Sequence, residues 1–153
     1  MTTYNCADAS KTKSYGADLE VWQTNIDFSM DSLDAGLGDV AQVLRVPASA
    51  WVLMAFLKVI KKCPANSTVN FGYGGDADYF GHSLPISTVG SVPLKTVLAN
   101  AGLTTIFKDY APMMGSPLYF SAVDTLDLTA TTEGADVNIS SGIVEVNALI
   151  WRV

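Results

Sequence analysis

The stretch from Asp39 to Gly75 constrains the fold most, because it contains three consecutive segments with the pattern of β-strands. Asp39–Val46 alternates apolar and polar residues, Trp51–Ile60 is a long apolar run, and Thr68–Tyr73 leads into a glycine turn. A helix over Ser49–Lys62 is the competing interpretation, since Ala, Leu and Met propagate helices well. We favour a strand, because the neighbouring segments alternate and a proline stands on each side of the run.

Alternation within Trp51–Ile60 predicts which side chains share a face of that strand. One face carries Val52, Met54, Phe56, Lys58 and Ile60, and the other carries Trp51, Leu53, Ala55, Leu57 and Val59. Both faces are nearly apolar. A strand tolerates this composition only where both faces are covered.

Short strand-like segments with turn signals between them continue along the rest of the chain. We predict further strands at Ala17–Ser29, Tyr79–Ser87, Pro117–Val123, Thr125–Thr131 and Gly142–Val153, with a short pairing at Asn138–Ser141. Gly81 and Pro85 make the second of these an edge strand or a bulged strand. Within an excursion at Ser91–Gly115, a proline near the start and a glycine after the end predict one short helix over Pro93–Gly102. The pattern predicts an all-β fold, a single β-sandwich of the jelly-roll type with one short helix between strands.

Residues 1–16 differ from the remainder, which we predict to be one β-sandwich domain over residues 17–153. This N-terminal segment is polar and buries too little apolar surface to order itself. It is therefore expected to be a flexible arm, either a frayed terminus or a segment that orders against a partner. It also lacks the apolar core of a signal peptide, so we expect synthesis in a cytoplasm.

The charge of the chain limits its partners. The net charge is −6, and the chain contains no basic patch of the kind that nucleic-acid binding requires. Charged residues make up 16% of the chain, below the ~25% usual in soluble domains, which favours a protein buried in an assembly. No apolar run reaches the ~18 residues of a membrane helix. Cys6 and Cys63 are expected to be buried or free thiols, with a disulfide as the alternative.

The sequence offers little for catalysis. His82 is the single histidine, and no nucleophile motif accompanies it. The glycine-flanked Asp76 and Asp78 lack the further ligands of a calcium loop. We therefore expect no enzyme activity, no metal and no cofactor. Tyr73, Asp76, Asp78, Tyr79 and His82 could together supply a sugar-binding site, since jelly rolls often carry such sites on their loops.

Four pieces of the chain resemble capsid decoration, or cement, proteins of tailed bacteriophages with a jelly-roll core. They are Tyr15–Asp18 with the Trp22-Gln23 strand, Val40–Pro47 with the long apolar strand after it, the glycine-aspartate turn at Gly74–Asp78, and the block Leu118–Leu126. The resemblance implies a structural virion protein without catalysis. Such proteins sit on the exterior of the assembled shell as homotrimers, and they tie together neighbouring copies of the major capsid protein.

The resemblance also directs attention to exposed aromatic and methionine side chains as contacts. We predict Tyr4, Tyr15 and Trp22 on the shell-facing side, with an ordinary core position as the alternative for Trp22. We predict that Met113 and Met114 belong to a loop that contacts the shell or another subunit, with ordinary packing of that loop as the alternative. A receptor-binding or carbohydrate-binding virion module, such as a head fibre or tail component, is the alternative function.

Overall fold

The structure is a computed structural model and describes residue 1 and residues 3–5, 10–14, 19–92, 117–131 and 138–153. In this part of the chain the regular elements are all β-strands, as predicted. They are β1 (Thr3–Asn5), β2 (Ser10–Ser14), β3 (Leu19–Asp27), β4 (Leu33–Asp34), β5 (Val40–Val46), β6 (Ala50–Lys61), β7 (Thr68–Tyr73), β8 (Asp76–Pro85), β9 (Gly90–Val92), β10 (Leu118–Phe120), β11 (Asp124–Ala130), β12 (Asn138–Ile139) and β13 (Ile143–Arg152). The helix predicted over Pro93–Gly102 lies outside the described residues.

Two sheets form the sandwich. The β5 sheet has the strand order β1-β5-β11-β7-β8, and the β6 sheet has the order β10-β6-β13-β3-β2, with β9 also paired to β6. Apart from β1, the sandwich strands pair with antiparallel neighbours. The orders β5-β11-β7-β8 and β3-β13-β6 with β9 and β10 are those of a jelly roll. The predicted fold class is thus confirmed.

The core lies between the two sheets and is built from alternate residues of the strands. Leu57 and Ile150 contribute from the β6 sheet, and Phe71, Phe80 and Leu128 contribute from the β5 sheet. Each is at most 2% exposed, and the Phe71 and Phe80 ring centroids are 5.2 Å apart. Full burial of such a side chain contributes about 1.5–3 kcal/mol. Burial of the alternate residues therefore fixes which face of each strand points outward.

A β-bulge in β6 corrects the predicted faces of that strand. Leu149 pairs with Met54 and Ile150 pairs with Val52, so Leu53 is an extra residue in β6. The alternation changes phase there, because two residues of the bulged strand oppose one residue of the partner. Val52 is fully buried and Trp51 points outward, so the faces predicted for these two residues were wrong. From Ala55 onward the predicted faces are confirmed.

The outer edge of β6 pairs with two short strands. Gly90–Val92 lies opposite Val59–Leu57, and Leu118–Phe120 lies opposite Val52–Ala50, so both run in the same direction along this edge. Together they occupy the position of a single jelly-roll strand. Residues 93–116 connect β9 to β10 in the chain and lie outside the described residues.

The N-terminal segment contributes two strands. β1 pairs in parallel with β5, with Tyr4 opposite Ala41, and β2 pairs antiparallel with β3. Both strands belong to residues 1–16, the predicted arm. Its ordering against a partner stays a prediction.

Candidate functional site

The structure places two of the predicted contact residues on different sheets. Tyr4 lies in β1 and is partly buried against the core. Trp22 lies in β3 and packs against the core from the β6 sheet, which fits the alternative prediction for this residue. Tyr15, Met113 and Met114 lie outside the described residues. A role in shell contact stays a prediction for all five of these side chains.

Trp22 belongs to a polar cluster that sequence reasoning missed. Its indole Nε1 donates a hydrogen bond to Oε2 of Glu20 at 2.8 Å, and Glu20 is only 3% exposed. Nε of Arg152 lies 3.4 Å from the same carboxylate oxygen, and the guanidinium carbon lies 5.8 Å from the centroid of the Trp22 ring. This cluster joins β3 to the end of β13, and its buried carboxylate has both an ionic partner and a hydrogen-bond donor, as burial of a charge requires.

The outer face of the β6 sheet carries a second feature, which we call the outer apolar patch. Its seven residues come from four neighbouring strands and lie in two cross-strand rows. The first row is Tyr119, Trp51, Trp151 and Leu19, and the second is Met54, Leu149 and Val21. Met54, Trp151 and Tyr119 are 49%, 45% and 44% exposed. The expectation that both faces of β6 are covered therefore fails for this face among the described residues.

The aromatic side chains of the patch are in mutual contact. The Trp51 and Tyr119 ring centroids are 5.0 Å apart, within the range of a favourable aromatic pair. Beyond the patch the same face is mixed: Lys58, Glu145 and Asn25 form one polar cross-strand row, whereas Phe56 and Ile60 of β6 are 39% and 42% exposed. The aromatic side chains of the face are therefore concentrated at the patch, and exposed apolar patches of this kind mark interaction sites.

The predicted sugar-binding residues do come together, at the β7–β8 hairpin. Nδ1 of His82 lies 2.8 Å from Oδ2 of Asp78, and the Tyr73 and Tyr79 rings make an edge contact with centroids 5.7 Å apart. A side-chain hydrogen bond with Asp78 raises the pKa of Asp76. The same bond lowers the pKa of Asp78, as does its contact with His82. The hairpin therefore presents carboxylates and tyrosines side by side near the end of the sandwich.

The local structure of this hairpin follows from its glycines and from its position at a sheet edge. Tyr73 pairs with Asp76 and Phe71 pairs with Gly81, so β8 has three more residues than β7 in this interval. A side chain at Gly72 would collide with the carbonyl oxygen of Asp76, 2.1 Å from the position of its Cβ. β8 is the last strand of its sheet, so the prediction of an edge or bulged strand is confirmed in both respects.

The titratable groups of the described residues were also compared with the requirements of a metal site and of a reactive thiol. Among these residues there is no cluster of three or more His, Cys, Asp or Glu side chains that could hold a metal ion. Cys63 is buried and free, and desolvation raises the pKa of its thiol to about 12, so the thiolate is not formed at neutral pH. In the same part of the chain there is no helix long and apolar enough to cross a membrane.

Comparison with solved structures shows that this fold occurs in phage capsids. A chain in the capsid of Ralstonia phage GP4 is similar with a TM-score of 0.61 and 9% identity, covering 99% of this chain and 99% of that chain. A chain in the acidic stable capsid structure of Helicobacter pylori bacteriophage KHP30 is similar with a TM-score of 0.50 and 13% identity, covering 94% and 92%. No model of a protein family matches the sequence, and no curated protein matches it. At these identities the likeness shows the shared fold.

Proposed function

We propose that this chain is a capsid decoration, or cement, protein of a phage. It is a structural virion protein that binds the exterior of an assembled shell, contacts the major capsid protein and carries out no catalysis. The observation that supports this most strongly is the likeness over 99% of both chains to a protein chain in a phage capsid. A jelly roll hosts many functions, so the fold alone does not decide among them.

The composition of the surface supports the same proposal. Charged residues are 16% of the chain, and the outer apolar patch exposes aromatic and methionine side chains of the kind enriched in protein interfaces. A protein that binds only the assembled lattice stabilises that lattice by mass action. Symmetry repeats each weak contact many times, which gives high avidity without a strong single contact. We propose a homotrimer, because the resemblance to decoration proteins implies a trimer and closed cyclic symmetry is usual for homo-oligomers.

The N-terminal segment is the proposed shell-binding element. Tyr4 and Tyr15 of this segment and Trp22 of β3 are the candidate contacts, and the strand pairing of β1 and β2 attaches the segment to both sheets. The Trp22 side chain packs against the core, so its proposed role in shell binding is indirect. It would hold β3 in place, and β3 pairs with β2 of the N-terminal segment. Met113 and Met114, which lie outside the described residues, stay candidate contacts.

Co-sedimentation with empty heads of the parent phage tests the proposal. The purified protein should have the mass of a trimer by light scattering, and it should pellet with expanded heads and not with unassembled shell subunits. Tyr15→Ser should reduce the bound fraction, whereas Leu37→Ser, at an exposed turn residue outside the proposed contact surfaces, should not. A monomer that stays in the supernatant with heads at every concentration would remove the basis of the proposal.

A receptor- or carbohydrate-binding virion module is the second candidate, favoured by one observation. The β7–β8 hairpin brings Tyr73, Tyr79, Asp76, Asp78 and His82 together at one end of the sandwich. Aromatic rings that stack on a sugar, next to carboxylates that accept hydrogen bonds from its hydroxyl groups, are a common recognition arrangement. Binding on a glycan array that disappears in Asp78→Asn, together with no binding to heads, would favour this function over decoration.

A further inference from the structure

The exposed apolar surface on the outer face of the β6 sheet is larger than the outer apolar patch alone. Phe56 and Ile60 are also exposed on this face, and they continue the apolar surface along β6 beyond Met54. From Trp51 to Ile60 the strand extends for about 30 Å, and four neighbouring strands spaced about 4.8 Å apart give a width of about 20 Å. The face therefore covers about 600 Å² in projection, and its side chains raise the accessible area toward the ~800 Å² that each partner contributes to a standard interface. It is large enough for contact with a separate protein.

This face adjoins the N-terminal segment, which is the proposed shell-binding element. β2 of that segment is the last strand of the β6 sheet and pairs with β3. Leu19 and Val21 of the outer apolar patch lie on β3, and Lys13 of β2 lies opposite Val21. A partner that contacts the N-terminal segment from the outer side of the β6 sheet therefore also reaches the patch.

Symmetry favours a different protein over a second copy of this chain as the partner of the face. Identical faces pack on each other around a two-fold axis, which gives a dimer and not the proposed homotrimer. In a cyclic trimer each subunit contacts its neighbours through two different surfaces, so the face would need a second apolar surface on the next subunit. The outer face of the β5 sheet is polar where it is described, with Asp127 and Thr129 on β11 and Asn70 on β7. That sheet therefore supplies no matching apolar surface among the described residues.

Charge adds a second property that the partner should have. The strands of the β6 sheet contain five Lys or Arg residues and three Asp or Glu residues, a net charge of +2. The strands of the β5 sheet contain one Arg and four Asp residues, a net charge of −3. Lys58 and Lys61 are exposed on β6, beside the apolar side chains of the face. An apolar partner surface with acidic groups around it would be complementary to this arrangement.

We propose that the outer face of the β6 sheet, centred on Met54, Phe56 and Trp151, binds an apolar surface of the assembled shell that has acidic groups around it. This inference rests on the proposed function and names the surface through which the protein binds. It adds a sheet face to the N-terminal segment as a shell contact. A second copy of the chain and residues 93–116 of the same chain are the competing occupants of the face.

Methionine oxidation of the wild-type protein tests which occupant is present. Met54 on the face and Met30, in a turn beyond the end of β3, are both exposed, so peroxide should convert both to the sulfoxide in the free protein. Binding to empty heads should slow oxidation of Met54 by roughly five-fold or more, because susceptibility follows exposure, and should leave Met30 unchanged. Unchanged oxidation of Met54 in protein that pellets with heads would overturn the proposal. Protection of Met54 before heads are added would also overturn it, since one of the competing occupants would then cover the face.

A pair of variants gives an independent measurement by co-sedimentation. Met54→Glu should raise the protein concentration that half-saturates the heads by roughly ten-fold or more, as expected for a contact near the centre of an interface. Its solution mass should equal that of wild type. Met30→Glu is the matched control, because it makes the same change at an exposed residue outside the face, and it should bind like wild type.

The outcomes of these experiments separate this inference from the proposed function. Equal binding by Met54→Glu and Met30→Glu would contradict a shell contact at this face. A lower solution mass for Met54→Glu would assign the face to a contact between subunits and would also contradict the inference. If wild type pellets with heads in either case, the proposed function stands and only the inference fails. If wild type itself does not pellet with heads, the proposed function fails and the inference fails with it.

Discussion

Replacement of Asp127 by asparagine should stabilise the protein at neutral pH. Asp127 lies in the middle of β11, on the outer side of the β5 sheet, and is only 7% exposed. Its Oδ1 accepts a hydrogen bond from the Thr125 hydroxyl at 2.7 Å, which an asparagine oxygen can also accept. Desolvation, with a smaller contribution from the Asp124 carboxylate, raises the pKa of Asp127 from 3.8 to about 6.

The sign of the pH dependence follows from this raised pKa. The folded state binds the proton more tightly than the unfolded state, so the contribution of Asp127 to stability is most favourable below pH 4. This favourable contribution is lost as the pH rises through about 6. At higher pH the carboxylate is charged in the folded state, and its desolvation lowers the free energy of unfolding by the full amount. A rise of about two pKa units corresponds to at most about 3 kcal/mol. Asp127→Asn removes this cost, so we expect the free energy of unfolding at pH 7 to increase by about 1–3 kcal/mol.

Urea denaturation at pH 4, 5, 6 and 7 measures this effect as the difference between variant and wild type. The difference should be small at pH 4 and grow toward pH 7. Asp27→Asn is the control of opposite sign, because hydrogen bonds from Ser29 lower the pKa of Asp27, so this variant should lose stability at pH 7. A destabilised Asp127→Asn at pH 7, or a difference that does not change with pH, would refute the reasoning.

Two further predictions concern packing. Gly142→Ala should destabilise the fold by about 2–4 kcal/mol, because φ is +110° and the new Cβ would lie 2.5 Å from the Cys63 sulfur. Adding Cys63→Ala to this variant should not restore stability, since backbone atoms of Cys63 also lie 2.9 Å from the new Cβ. A denaturation midpoint equal to wild type would contradict the close contact. Leu128→Ala should cost about 2–5 kcal/mol because the side chain is fully buried, whereas Leu37→Ala, at a 60% exposed side chain, should change the unfolding free energy by less than about 0.5 kcal/mol. If both leucine variants lost the same free energy of unfolding, burial of Leu128 in the core would be contradicted.

The sequence predicted the fold class and most of the strands because the hydrophobic alternation was strong. It did not predict the bulge at Leu53, since a bulge is defined by the pairing of β6 with β13 and not by any residue within β6. Strand β9 was missed for a similar reason. Its three residues contain a glycine and a serine, and their strand conformation comes from pairing with the edge of β6.

The clustering of candidate residues could be predicted from the sequence where these residues are close together in the chain. The hairpin residues from Tyr73 to His82 are close in sequence, so their clustering needed only the turn at Gly74-Gly75. The outer apolar patch unites residues from Leu19 to Trp151, and that requires the cross-strand register of four strands. The sequence did contain one sign of this patch, because the β6 segment is apolar on both of its faces. The salt bridge between Glu20 and Arg152 likewise depends on β3 and β13 lying side by side.

The most direct test of the decoration proposal is the stability of DNA-filled heads with and without this protein. Heads should assemble and package DNA in its absence, but they should release DNA on heating at a lower temperature. Adding back purified protein should restore the higher temperature in a concentration-dependent way, as expected for a ligand of the assembled shell. Failure of heads to assemble without the protein would indicate a shell-building role, and an unchanged release temperature after add-back would contradict stabilisation by decoration.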